Sequence, residues 1–113
     1  MLPTSKAHIW DARQACSAAL TFVEGVDAPD FSNNLLVQSA VERQLEILGE
    51  ALNRLRRTDP ETAAKVPDLD RVIAMRNIIA HGYGVVDHAI VYSVVDSRLP
   101  PLADFLAALL EDA

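Results

Sequence analysis

Apolar residues return every three or four positions along most of the chain, a period that predicts packed helices rather than strands. Ile9, Ala12, Cys16, Ala19, Leu20 and Val23 place a first helix over about Ser5 to Glu24, capped by Thr4 or Ser5. The stretch from Gly25 to Asp30 has loop composition. A long second helix is expected from Asp30–Ser32 to about Arg57, with Leu36, Ala40, Val41, Leu45, Ile47, Leu48, Ala51, Leu52 and Leu55 on its apolar side. Gly49 interrupts that helix at a cost of about 1 kcal/mol against alanine, which a close crossing by another helix would justify. A short helical piece should run from Pro60 to about Lys65, and a third main helix from Asp68, its expected cap, to His81. Asp87 caps a last segment whose stripe runs through Ile90, Val91, Val94, Val95, Leu99, Leu102, Phe105, Leu106 and Leu109. Pro100-Pro101 must kink or break it. The β-branched pairs Val85-Val86 and Ile90-Val91 resemble strand composition, but the helical spacing runs longer and decides for helix.

Composition narrows the class. A chain of 113 residues, half of them apolar, makes one domain that can bury a core without metal or disulfide support. A net charge of −6 argues against a general nucleic-acid coat protein, whose binding needs a basic surface, but leaves room for a local phosphate site. Cys16 is alone and cannot form an internal disulfide. With no signal-like start and no apolar run near 18 residues, a cytoplasmic protein without a membrane span is expected. Trp10 reads as core or interface packing. Lys6, Asp11, Arg13 and Glu24 read as a solvated face, and His88 as a solvated residue at a helix start.

One stretch breaks the apolar logic: Met75-Arg76-Asn77-Ile78-Ile79-Ala80-His81-Gly82-Tyr83-Gly84. On a helical wheel Leu69, Val72, Ile73, Ile79 and Ala80 share a side, with Arg76 in their middle. An unpaired guanidinium is costly there, so Arg76 either pairs with an acid or borders a polar cleft or a partner chain. Glu42, Glu46 and Glu50 form the stripe that could supply the acid, though such a stripe is ordinarily solvated. His81 follows about 140° round and roughly 7.5 Å along the axis, so the two side chains are not stacked but can reach one anion. Gly82 and Gly84 fit a left-handed helix stop, with Tyr83 in or after the turn. An arginine grips a phosphate through parallel hydrogen bonds, and a histidine serves as acid or base near neutrality. Arg54, Arg56 and Arg57 make the one concentrated basic patch, either complementing a helix terminus or contacting RNA or a partner. The sequence holds no Cys/His cluster, no His-Glu-x-x-His and no phosphate-binding glycine loop, and no cofactor is expected.

Arg-Asn-x-x-Ala-His-x-Tyr at residues 76–83 resembles the signature of the HepT-like branch of the HEPN ribonucleases, the toxin halves of HEPN/nucleotidyltransferase modules. Ala40-Val41-Glu42-Arg43 and Ile47-Leu48-Gly49-Glu50-Ala51 resemble that family's second helix. Where the family usually carries a tryptophan just before the motif helix, this chain has Leu69. The resemblance implies an all-α bundle of four to five helices, with a kinked C-terminal helix here, that dimerises with two motifs facing one cleft. It implies metal-independent RNA cleavage, with Arg76 and His81 catalytic and Asn77 supporting. It also implies that Tyr83 is adenylylated by a cognate nucleotidyltransferase antitoxin, making the chain the toxin of a type VII toxin–antitoxin pair. Two other readings stand beside it: a non-catalytic partner or substrate-holding subunit of a nucleotidyltransferase, and a structural bundle in which Arg76 is paired internally.

Overall fold

The computed structural model describes residues 1–82 and 86–112. Among them lie seven helices: α1 (Ser5–Phe22), α2 (Ala28–Ser32), α3 (Leu35–Thr58), α4 (Pro60–Ala63), α5 (Leu69–His81), α6 (His88–Ser97) and α7 (Leu99–Glu111). The expected all-helical bundle is present. The short piece after Pro60 and the break in the C-terminal helix are where they were expected, but the long helix starts later. Ala28–Ser32, divided in the sequence between a loop and the helix start, forms the separate turn α2, and α3 begins at Leu35. Helix α3 is the long axis: 24 residues at 1.5 Å each span about 36 Å. It packs against α1 and α5, while α1 also packs on α7 and α2 on α6. Among the described residues, no helix is long and apolar enough to cross a membrane.

Most helix starts follow from side chains that satisfy the free N–H groups of a first turn. Asp27 accepts from the Asp30 N–H, Asn34 from Val37, Asp59 from Thr62, and Asp87 from Ala89 and Ile90. Two expected caps work differently. Thr4 occupies the cap position of α1 without a side-chain bond, and the Ser5 hydroxyl instead donates to Asp59 Oδ2 at 2.7 Å. Asp68 sits left-handed at φ 57° ahead of α5, with its backbone oxygen accepting from Val72 and its carboxylate accepting from Arg98 Nη1 at 3.4 Å.

The core seam of α3 is Val41, Leu45, Leu48, Leu52 and Leu55, spaced alternately by four and three. Ile9, Ala12, Cys16 and Ala19 give α1 the matching seam, the spacing of helices packed nearly along each other. Asp59, at the end of α3, binds Leu2 and Ser5, so α1 and α3 run antiparallel. Burial pushes the Cys16 thiol up to about 12, which leaves it a small unreactive hydrophobe. Leu36, expected on the apolar side, is 81% exposed. The seam passes through Gln38 instead, whose buried amide donates to the Phe31 carbonyl at 2.8 Å. Trp10 is 53% exposed and is not core within this chain, and Ile90 also faces outward. The last stripe runs unbroken through Val91, Val95, Leu99, Leu102 and Leu106, although the helix stops at Arg98. Pro100 and Pro101 lie in the first turn of α7, where their missing N–H groups cost nothing, so the break falls just ahead of them.

Asp59 ties three elements together. It accepts from the Ser5 hydroxyl, the Leu2 N–H, and the hydroxyl and N–H of Thr62. These bonds, Ser5 first, hold its carboxyl well below the usual carboxylate range. The folded form therefore binds the proton less readily than the unfolded chain. Its contribution is complete above pH ~4, the ordinary aspartate value, and is lost as pH falls below that. Asp59→Asn is expected to lower the urea midpoint at pH 7, with the deficit against the parent protein shrinking below pH 4. An equal deficit at both pH values would contradict this linkage.

Candidate active site at the crossing of α3 and α5

Helices α3 and α5 meet where α3 has no side chain. A Cβ added to Gly49 would collide with Cβ of Arg76 and sit 2.7 Å from its Cγ. The glycine thus serves the close crossing expected of it. The Arg76 stem lies directly on the α3 backbone, and Val72, Ile73 and Met75 bury the adjoining face of α5. The head of Arg76 emerges at the edge of this contact. Its Nη2 donates to Glu50 Oε2 at 3.0 Å and its Nη1 to Asn77 Oδ1 at 2.9 Å. The Arg76 and Glu50 side chains are 30% and 31% exposed, so the pair is neither dissolved in water nor sealed from it. Of the three glutamates that could have answered Arg76, the structure selects Glu50.

Glu50 serves more than one arginine. Its Oε1 accepts from Arg54 Nε at 3.2 Å, the anticipated i,i+4 pair, and lies 3.7 Å from Arg57 Nη2. Arg56 points elsewhere, to Asp70 Oδ1 at 3.3 Å and Asn53. The basic patch therefore divides: Arg54 and Arg57 join the Arg76 cluster, and Arg56 does not. Beside the cluster lies an open groove of about 280 Å³, walled by Arg43, Glu46, Glu50, Arg54 and Arg76, with Asp11 from α1 on its margin. Asp11 was indistinguishable in sequence from the solvated residues around it, since its place depends on how α1 lies across α3.

His81 ends α5 and is exposed. Gly82 continues right-handed at φ −75°, not left-handed as its position after the helix implied. Space explains the glycine better, because a Cβ there would press on the Ile78 carbonyl and lie 3.2 Å from Val86 Cγ2. Tyr83 and Gly84, the other motif residues of this turn, lie outside the described residues. His88, expected to be solvated, is half-buried: its ring stands edge-on to Phe31 at 6.3 Å, and its Nδ1 is buried with no hydrogen-bond partner among the described residues. Burial holds the neighbouring Glu42 carboxyl above its usual range, with His88 opposing and Glu46 reinforcing the effect. Among the described residues, no three His, Cys, Asp or Glu side chains converge as metal ligands would.

The crossing gives a direct test. Gly49→Ala gains helix propensity, yet the new methyl must displace Arg76 and push α5 from α3. A net destabilisation of roughly 1–3 kcal/mol is expected by urea denaturation. Unchanged or raised stability would show that the two helices can separate freely.

Residues 12–109 match the ribonuclease HepT-like family. Curated relatives share the chain nearly end to end. "Putative RNase MJ1380" of Methanocaldococcus jannaschii is 29% identical over 97 residues, covering 86% of this chain and 88% of the relative. "Putative RNase TTE0752" of Caldanaerobacter subterraneus subsp. tengcongensis is 26% identical over 110 residues, covering 97% of each. No solved structure matches the chain. The match over most of the sequence and the all-helical architecture agree: the chain belongs to the ribonuclease HepT-like family.

Proposed function

We propose that this protein is a metal-independent endoribonuclease, the toxin of a toxin–antitoxin pair, working through a composite site in which two copies bring their Arg76 and His81 residues to one cleft. The observation that carries the reading is the position of Arg76. It is a cation on an otherwise apolar helix face, held by Glu50 and Asn77 at the edge of an open groove. The exposed His81 lies further along the same helix.

The chemistry requires little more. One base removes the proton of a ribose 2′-hydroxyl, whose oxygen attacks the adjacent phosphorus. The bond to the 5′-oxygen breaks, and an acid protonates that leaving oxygen. Arg76 stabilises the charge that accumulates on the phosphoryl oxygens, and Asn77 keeps its guanidinium in place. His81 supplies proton transfer, but one motif contains one histidine and the reaction moves two protons. A twofold dimer supplies the second copy. Arg54, which lines the groove, and Arg57, beside Glu50, serve as contacts for flanking RNA backbone, and Arg56 as a contact for RNA or a partner.

Tyr83 follows His81 by two residues and is the proposed point of control. Adenylylation of its phenol by a cognate nucleotidyltransferase antitoxin would add a bulky anionic nucleotide beside the motif and exclude RNA. A second reading has one specific support. The net charge of −6 suits docking to a basic protein better than capture of RNA, as in a partner subunit of a nucleotidyltransferase that does not itself cleave.

Purified protein, shown by intact mass to be free of modification on Tyr83, should cleave RNA in excess EDTA. His81→Ala should reduce that rate by roughly 10²–10⁴-fold without unfolding the protein. If the parent protein and the variant are equally inert and remain folded, the partner-subunit reading replaces the nuclease.

A further inference from the structure

Arg76 is fixed along its whole length. The stem rests on the backbone at Gly49, and the head gives one hydrogen bond to Glu50 and one to Asn77. A guanidinium has five N–H donors. Two are engaged by partners among the described residues, and the Arg76 side chain lines the groove. Glu50 is itself held, because its other oxygen takes Arg54 and lies beside Arg57, both one to two turns further along α3. The order of dependence therefore runs from Arg54 and Arg57, through Glu50, to Arg76.

We infer that Glu50 is a positioning residue for Arg76: it holds the guanidinium at the groove edge in the orientation that meets a phosphate, and so acts on the reaction without touching the RNA. The inference rests on the reading of Arg76 as the phosphate-binding group. A flexible arginine must be ordered during the reaction, whereas one held beforehand stabilises the developing charge with little reorganisation. Glu50 also offsets part of the repulsion among Arg54, Arg57 and Arg76. The Glu50 carboxylate faces arginines from both α3 and α5, a combined role that a solvated i,i+4 partner of Arg54 would not have.

The test is Glu50→Gln in the full chain, unmodified at Tyr83, with two readouts. The first is nitrogen-15 NMR of the Arg76 side chain. The parent protein should show hindered rotation of the guanidinium, and E50Q should show clearly faster rotation, with Asn77 still bonding one nitrogen. The second is turnover of a labelled single-stranded RNA oligonucleotide in EDTA. E50Q should lower kcat roughly ten- to hundredfold, with KM changed less than about threefold. In an Arg76→Ala background the same substitution should have no further effect. Identical Arg76 spectra in the parent protein and E50Q, or an equal loss of kcat with and without Arg76, would overturn the assignment. Glu50→Asp keeps the charge and shortens the reach, and should show the same two losses if E50Q does not fold. If the parent protein leaves the RNA uncut, the nuclease reading fails, while the NMR comparison still decides whether Glu50 orders Arg76.

Discussion

The contact between Gly49 and Arg76 sets the terms for the rest of the molecule. Two helices can approach this closely only where one of them lacks a side chain, and α3 gives up its Cβ at that point. The approach puts the arginine stem against backbone and its charged head beside Glu50, the next residue on α3. A mid-helix glycine, ordinarily a weakness, thereby places a cation where an apolar face meets an open groove. The core seams of α1, α3 and the C-terminal helices hold α3 rigid enough for that placement to persist.

Around this contact the charges are arranged in a chain rather than in isolated pairs. Arg54 and Arg57 meet one oxygen of Glu50, Arg76 meets the other, and Asn77 completes the hold on Arg76. Exposed ion pairs taken singly contribute little to stability. Here the Arg76–Glu50 pair at the centre is about two-thirds covered, while Arg54 and Arg57 are mostly exposed, and the use of the network is to limit the orientations available to a long side chain. That restraint fits a site where an arginine must be ready for a charged ligand.

Much of this was legible in the residues. The apolar period identified the helices, an arginine inside an apolar stripe demanded a partner, and a glycine mid-helix demanded a crossing. What periodicity could not give was the rotation of a helix about its own axis. Leu36, expected inside, faces outward, and Gln38 takes the buried place because its amide bonds the Phe31 carbonyl, an interaction invisible to hydropathy. The choice of Glu50 over Glu42 and Glu46 depends on the height at which α5 crosses α3. The place of Asp11 depends likewise on α1. Gly82 was assigned to conformational freedom, whereas the structure uses its small size. His88 looked like a solvated helix start but lies partly covered beside Phe31.

The central claim is that this arrangement supports cleavage by the RNA's own 2′-hydroxyl, and the chemical ends of the products test it most directly. Mass spectrometry of an oligonucleotide cut in EDTA should find a 2′,3′-cyclic phosphate on the upstream fragment and a 5′-hydroxyl on the downstream one. Fragments ending in a 3′-hydroxyl and a 5′-phosphate would mean that water, not the ribose, attacks the phosphorus, and would contradict the mechanism assigned to Arg76 and His81.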